Sequence, residues 1–510
     1  MEFKITIQHS YLYIPIAYQV KTILVEFYEE EKILELNIPY QKPENDHDTY
    51  HYDYMATVPV REYIGKEIRI AGDFCEAFTA LIGQGDELKK NGSVLPQIHY
   101  APDNGWMNDP NGLIDYKGIY HMFYQFNPVG KKWDNISWGH ATSTDLLHWT
   151  EHETALLPDA DGLIYSGSAI QNEQGMLGLP TDAIILMYTS AGGRSNWSKD
   201  SLFTQRYAIS TDHGETFQKD GKIRIPHLVY ENRDPKIYWH EESKGYYVSL
   251  FLDQHEYGIY RSEDLENWKM TQHFVVDEAA WECPDLREVP IAGTNQTKWI
   301  FWTPDGLYQL GTFDGFSFKA ETHSQRAYFN TMAYAGQTFS GITDRVVNIA
   351  WMRSKNEDMM YCGTMGIPRE WELVPTDEGY KLAQHVIREF HEQKQCVIKE
   401  NDSSHVQYEQ QQPHAVEVCL QMKQAQRIEI VLFGETIIYD QSTGILELPD
   451  RRIRFGIKVT DMQFIIDREI LEVTANNDTL FTAVEVKQKA NTGTIVIEAD
   501  QTIDVEMNII

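Results

Sequence analysis

At 510 residues the chain is too long for one compact core, so two to four domains are expected. Hydrophobic residues at 42% and charged residues at 24% are the composition of a globular protein and exclude a disordered chain. With 44 basic against 76 acidic residues the formal charge is -32, which repels nucleic acid and anionic membrane at long range and favours a neutral or cationic ligand.

From the N-terminus, Met1-Glu2-Phe3-Lys4-Ile5-Thr6-Ile7 alternates apolar and polar residues like a strand and lacks the apolar stretch of a signal peptide. Candidate strands follow at 11–16, 22–28, 33–38 and 67–70, with a polar loop at 42–51, so residues 1–95 read as a small β module. No run reaches the roughly 20 apolar residues of a membrane span. The five cysteines, Cys75, Cys283, Cys362, Cys396 and Cys419, are scattered without CxxC spacing. They read as reduced thiols, which makes the cytoplasm the expected location.

Three carboxylate motifs come next: Trp106-Met107-Asn108-Asp109-Pro110-Asn111-Gly112, Glu231-Asn232-Arg233-Asp234-Pro235, and Trp281-Glu282-Cys283-Pro284-Asp285-Leu286. Each sets an acid beside a Pro ahead of a strand-like run. Because Pro lacks a backbone donor, these acids are expected where a loop enters a strand. A repeat runs alongside them: Ser143-Thr144-Asp145 reaching Trp149, Ser210-Thr211-Asp212 reaching Phe217, Ser262-Glu263-Asp264 reaching Trp268, and Thr312-Phe313-Asp314 reaching Phe318. The aspartates stand 67, 52 and 50 residues apart, the spacing of four-stranded propeller blades in which Asp caps a turn and the aromatic wedges between blades. Chance recurrence of a hairpin turn is the rival reading. If first strands line the propeller axis, the three acids meet at one mouth of the central channel. After residue 388 the repeat ends. A charged, Gln-rich connection is expected at 389–413, then an antiparallel sandwich with strands at 428–432, 453–459, 464–466, 471–474 and 494–497.

A pair of acids suffices for glycoside hydrolysis, one attacking or activating water and one protonating the leaving oxygen. Asp109, among Asn and Gly that can supply donors, is the candidate nucleophile. Glu282, between Trp281 and Cys283, is the candidate acid, its pKa expected to rise in a partly apolar setting beside another carboxylate. Arg233 is expected to hold Asp234 anionic for binding sugar hydroxyls. Any one of these acids alone reads as a turn cap; together at blade starts they read as a site. Trp106, Trp133 and Trp138 are candidate sugar-stacking walls, with blade core as the rival role for each, equally weighted for Trp138. His148 and His152 lack a zinc-protease motif between them, and no P-loop, dinucleotide motif or dense metal cluster is found.

These motifs, with Phe123-Tyr124-Gln125-Phe126-Asn127-Pro128, Trp138-Gly139-His140 and Tyr165-Ser166-Gly167-Ser168, together resemble glycoside hydrolase family 32, the invertases, levanases and inulinases. The resemblance covers about residues 97–388 and extends more weakly into the C-terminal region at 464–477. It implies an all-β fold: a five-bladed β-propeller catalytic domain at 96–388 and a C-terminal β-sandwich at 389–510, after the module at 1–95. It further implies retaining, double-displacement hydrolysis of β-fructofuranosidic bonds, with no metal or cofactor. On that resemblance Asp109 is the nucleophile, Glu282 the general acid/base and Asp234 the stabiliser. Asn108, Gln125, Trp133, Tyr165, Ser166 and Arg233 match positions lining the fructose pocket, and Tyr334 and Trp351 look like later wall residues.

Met332-Ala333 departs from an Asp-Phe pair common in the family just before the residue matching Tyr334, which bears on the leaving-group side. The module at 1–95 resembles, more loosely through residues 58–66, one that precedes the propeller in some bacterial relatives; packing, carbohydrate binding and dimerisation are its alternative roles. The implied partner is a neutral fructose-containing sugar, not nucleic acid or membrane, with a homo-oligomer left open. A mouth closed by Trp133, Tyr165 and Trp351 favours a chain end. Sucrose-6-phosphate hydrolysis is the nearest alternative and asks for a cation near the leaving group, for which Lys131 and Lys132 are the candidates. Fructosyl transfer, an inverting propeller glycosidase and a catalytically silent sugar-binding propeller complete the alternatives.

Overall fold

The structure, a computed structural model, describes residues 1–18, 20–43, 49–276, 280–410, 414–487 and 493–510. Among them strands dominate; the α-helices, Glu76–Thr79 and Arg388–Gln393, are short, and no helix is long and apolar enough to cross a membrane.

The N-terminal residues form two antiparallel sheets. Glu2–Thr6, Glu67–Gly72, Thr22–Tyr28 and Lys32–Pro39 make one; Tyr54–Pro59, Tyr11–Ile16 and Gly83–Gly85 make the other. Period-2 alternation turns Leu12, Ile14 and Ile16 toward Val25, Phe27, Leu36 and Ile38, where each large apolar side chain contributes about 1.5–3 kcal/mol by burial. Tyr54–Pro59 escapes a sequence reading because its inward residues are Tyr54, Ala56 and Val58, a weak apolar signal. Part of the loop expected at 42–51 lies outside the described residues.

Five antiparallel sheets follow among the described residues, each built outward from an innermost strand: Gly105–Tyr116, Leu163–Gln171, Arg233–His240, Asp285–Pro290 and Ala333–Thr338. The fold is a five-bladed propeller, and its ring closes between the last blade and the first. Tyr361–Cys362 pairs in parallel with the start of Gly105–Tyr116, and the Ser340 amide donates to the Leu113 carbonyl at 3.0 Å. The repeated aspartates cap turns as the sequence suggests. Asp145 accepts the Leu147 and His148 amides at 3.0 and 2.8 Å, Asp264 those of Glu266 and Asn267, and Asp314 those of Phe316 and Ser317. The aromatics wedge between blades: Phe217 meets Phe123 edge-on at 5.1 Å, and the Trp268 indole donates to the Tyr207 hydroxyl at 3.0 Å. Trp138 is wholly buried on Phe123 and Tyr188 with its indole on the Tyr165 carbonyl, so it is core and not a sugar wall.

The acid-Pro motifs correct one expectation. Asp109-Pro110 lies well inside the innermost strand Gly105–Tyr116, whereas Asp234 is the second residue of Arg233–His240 and Glu282 precedes Asp285–Pro290, at the loop entry as expected; the ladder register breaks between Met107 and Pro110 and between Arg233 and Lys236. A bulge removes the need for the amide Pro lacks and re-aims the neighbouring side chain.

The C-terminal β-sandwich is one ten-stranded sheet folded over an apolar core that includes Val418, Ile430, Phe464, Val473, Ile497 and Val505. The long strand Thr494–Ile509 belongs to both halves, pairing with Arg427–Leu432 early and with Val416–Gln421 late. Its other partner, Gln395–Glu409, occupies most of the segment expected to be a connection. Charge hides this strand, because most of its side chains face solvent; residues 411–413 lie outside the described ones.

A buried ion network joins sandwich to propeller. His99 sits between Asp467 (Nδ1 to Oδ2, 3.2 Å) and Glu472 (Nε2 to Oε1, 3.2 Å), Arg369 also pairs with Glu472, and Asp467 accepts the Ile98 and His99 amides. Although burial alone would lower it, the His99 pKa is raised to about 9 by its two carboxylates; Glu472 is lowered to about 2, with Arg369 and His99 outweighing its own burial. The His99 contribution to stability is therefore complete below its ordinary pKa of 6.5 and is lost as pH rises through about 9; that of Glu472 is complete above 4.5 and lost as pH falls toward 2. His99→Gln should lower stability by about 3 kcal/mol at pH 6. Thermal unfolding of both proteins at pH 6 and pH 10 checks this: the difference should shrink at pH 10, and an equal difference at both contradicts the assignment.

Candidate active site

The innermost strands bring the three acids together. Asp109 is buried, and its Oδ2 accepts from the Ser166 hydroxyl at 2.7 Å while Asn108 donates to Oδ1 at 3.2 Å. These bonds end a directional chain: the Trp106 indole donates to Asn108 (2.8 Å), the Asn108 amide to Gln125 (2.7 Å), the Gln125 amide to Ser166 (2.6 Å), and Ser166 to Asp109. Each link polarises the next toward the carboxylate. Four of the expected pocket residues thus act on Asp109 through one network.

Arg233 organises the other two acids. Its guanidinium donates to Glu282 Oε1 at 2.8 Å and to Glu231 at 3.1 Å, and its Nε stands 3.7 Å from Asp234 Oδ2. Phe251 lies beneath it, 4.6 Å from ring centroid to Cζ. Glu282 Oε2 accepts the Tyr334 hydroxyl at 2.8 Å. The Glu282 side chain is 27% exposed and that of Asp234 3%, so Glu282 is the acid presented to the mouth. Backbone strain accompanies the placement: Asp234, Glu282, Cys283 and Ala335 all have positive φ (63°, 64°, 30° and 52°), uncommon for non-glycine residues and concentrated here around the acids.

In the sequence Cys283 reads as one of five scattered reduced thiols. The structure buries it between the aspartates, its amide donating to Asp234 Oδ2 at 3.1 Å and its thiol lying 3.6 Å from Asp109 and 3.5 Å from Asp234. Burial and these carboxylates push its pKa well up, so it stays a neutral thiol that donates. Also missed were Thr189, whose hydroxyl accepts the Asp234 amide at 3.0 Å and donates to Gln205, and Asn111, which accepts the Gly167 amide at 3.0 Å and ties blade 1 to blade 2. Asn111 stands inside a recognised motif; Thr189 carries no signal of its own.

The expectation that neighbours would keep both aspartates low is reversed. Burial is the largest influence on Asp109 and raises it, with the Glu282 charge adding and the Ser166, Asn108 and Cys283 donors opposing. Asp234 is pushed up to about 7, again chiefly by burial, with Arg233 opposing and Glu282 and Asp109 adding. The single Arg233 guanidinium does not offset the burial that raises both aspartates.

Around the acids, Tyr165 meets Trp133 edge-on at 5.8 Å and Phe203 at 5.6 Å, while Trp351 contacts Trp106 at 5.9 Å and Tyr334 at 6.5 Å. Trp133, 47% exposed, forms the rim. Hydrogen bonds, ion pairs and ring contacts thus join the twelve expected site residues into one cluster. Lys131 is withdrawn from it: its ammonium donates to the Asn356 carbonyl at 3.0 Å and lies over the Tyr18 ring.

The comparisons with known proteins bear on this geometry. Residues 99–386 match the family model for the glycosyl hydrolases family 32 N-terminal domain. The chain belongs to glycosyl hydrolases family 32. A levanase of Bacillus subtilis is 34% identical over 325 residues, 58% of this chain and 47% of the levanase. The chain spans about half to two thirds of the length of the first curated relatives it matches. Among solved structures, the exo-inulinase from Aspergillus awamori superposes with a TM-score of 0.72 at 23% identity, over 83% of this chain and 99% of that one. A family 32 glycoside hydrolase from Bifidobacterium adolescentis gives 0.68 at 18% identity over 99% and 98%, so its likeness of fold takes in the N-terminal sheets as well.

Those sheets grip the rim of this family 32 site. The Asn37 amide donates to Asn135 Oδ1 at 2.7 Å, Asn135 Nδ2 donates back to the Asn37 carbonyl at 2.9 Å and to Asn127 at 3.1 Å, and Asn37 Nδ2 reaches Asp134 at 3.1 Å. Trp133 stands on the loop so clamped. Asn135 has φ 48°, which glycine adopts without cost, so Asn135→Gly removes the side-chain clamp and keeps the backbone. Initial-rate kinetics of that variant should show KM raised about three- to tenfold, on the order of 1 kcal/mol, with kcat within twofold; an unchanged KM contradicts the clamp.

Proposed function

We propose that this protein is a retaining β-fructofuranosidase that releases terminal fructose from fructans, fructo-oligosaccharides or sucrose. The observation that carries the reading is the division of environment among the acids. Asp109 is buried at the end of a donor chain, Asp234 is buried beside Arg233, and Glu282 faces the mouth between Arg233 and Tyr334. The names of the relatives, levanase, exo-inulinase and invertase, agree with that substrate class.

In the first step a carboxylate oxygen of Asp109 forms a bond to C2 of the fructosyl unit as the C2–O bond to the leaving group breaks, and the Glu282 carboxyl gives its proton to the departing oxygen. The Asn108 and Ser166 donors spread the charge of Asp109, and the buried Asp234 and Arg233 hold fructosyl hydroxyls. In the second step Glu282 takes a proton from water, the water oxygen bonds to C2 and Asp109 is released. The aromatic rim of Trp133, Tyr165 and Trp351 supports attack at a chain end.

The mechanism needs Glu282 protonated and Asp109 ionised at once, and the charge around them changes where Asp234 titrates. Asp234, pushed up to about 7, is neutral below that pH and adds a negative charge beside Asp109 and Glu282 above it. kcat/KM on sucrose or inulin should fall along an alkaline limb near pH 7, and Glu282→Gln should lower kcat by about 10²–10⁴-fold. A flat profile to pH 9, or unchanged fructose release by Glu282→Gln, removes the assigned roles.

A further inference from the structure

Arg353 follows the blade 5 strand Val347–Met352 and is exposed. Its amide donates to the Met332 carbonyl at 2.9 Å, which fixes it beside the start of the innermost strand Ala333–Thr338. Met332 and Ala333, the pair that departs from the family pattern, are buried and offer the pocket no polar group. The polar group at this edge is the Arg353 guanidinium, in face contact with Tyr334 at 3.6 Å and 5.4 Å from the Trp351 ring. Stacking of this kind leaves the in-plane N–H donors free. Among the described residues no hydrogen bond or ion pair engages that guanidinium, whereas Arg194 is paired with Glu231 and Lys131 is spent on backbone carbonyls. The Tyr334 hydroxyl donates to Glu282, the acid presented to the mouth, so Arg353 flanks the side from which a group protonated by Glu282 departs.

We propose that Arg353 is a binding residue for the leaving group, donating hydrogen bonds to the oxygens of a neutral sugar unit attached to the fructose being released. The proposal rests on the fructosidase reading above. Neutral sugar is favoured over a sugar phosphate because the same mouth holds Asp109, Asp234, Glu282 and Glu231 in a chain of formal charge -32, and a phosphate dianion would approach against that field.

The test compares sucrose and 1-kestose, whose leaving groups are sugars, with 4-nitrophenyl β-fructofuranoside, whose leaving group has no ring hydroxyls. Initial rates are measured for the wild type, Arg353→Ala and Arg353→Lys. In Arg353→Ala the ratio of kcat/KM on sugar to kcat/KM on the nitrophenyl fructoside should fall about tenfold, mostly through KM, as expected for losing a charged donor. Arg353→Lys should recover part of it. A ratio unchanged within twofold, or equal loss on every substrate, overturns the proposal. A wild-type preference for sucrose 6-phosphate over sucrose of tenfold or more that Arg353→Ala abolishes overturns the neutral class. Fructose release from none of these substrates by the wild type overturns the activity, and this inference with it.

Discussion

Arg233 reaches Glu231, Asp234 and Glu282 with a single guanidinium, in a channel whose innermost strands exclude most water. Three further arrangements accompany that shortage of positive charge. Burial first, and the neighbouring negative charge after it, raise Asp109 and Asp234, the latter to about 7. Neutral donors, the hydroxyl of Ser166, the amide of Asn108 and the thiol of Cys283, take up what Arg233 leaves. Uncommon backbone geometry is tolerated where it aims these groups, with bulges at Asp109 and Asp234 and positive φ at Asp234, Glu282 and Cys283.

The propeller makes this crowding bearable. Each blade lends one innermost strand, held by its own ladder and by aromatic wedges, so the acids approach without their backbones having to pack together. Ring closure and the His99 network then hold the frame against the repulsion inside it. The acids belong to the propeller, but the rim around them does not belong to it alone. Asn37 of the N-terminal sheets clamps the Trp133 loop, and Glu485 of the sandwich accepts the Lys355 and Asn356 amides just beyond Arg353.

Much of this is legible in the sequence where chemistry is local. The turn aspartates announce themselves because an Asx cap needs only its next few residues, and the strands at 11–16 and 22–28 are rich enough in apolar, aromatic and β-branched residues to be read to the residue. Blade 5 lacks the Asp-to-aromatic signature, so the repeat alone reaches four blades and the fifth comes from the family resemblance. Long-range effects stay hidden. That Trp138 is core depends on Tyr188 one blade away, and the strand Gln395–Glu409 is masked by charge on its solvent side. The rise of Asp234 against its adjacent Arg233 comes from burial by the whole ring, which no neighbour in sequence reports. Lys131 and Arg353 make the same point for the pocket: the lysine near Trp133 turns to distant carbonyls, while an arginine 222 residues on, at the end of another blade, stacks on Tyr334.

The central claim is that Asp109 attacks the sugar and Glu282 moves the proton. The most direct measurement is proton NMR of the first-formed fructose during hydrolysis, read before mutarotation, together with intact-protein mass after rapid acid quench. The account predicts β-fructofuranose first, and an added mass of one fructosyl residue that maps to the peptide containing Asp109. The α-anomer first, with no adduct on that peptide, would contradict it.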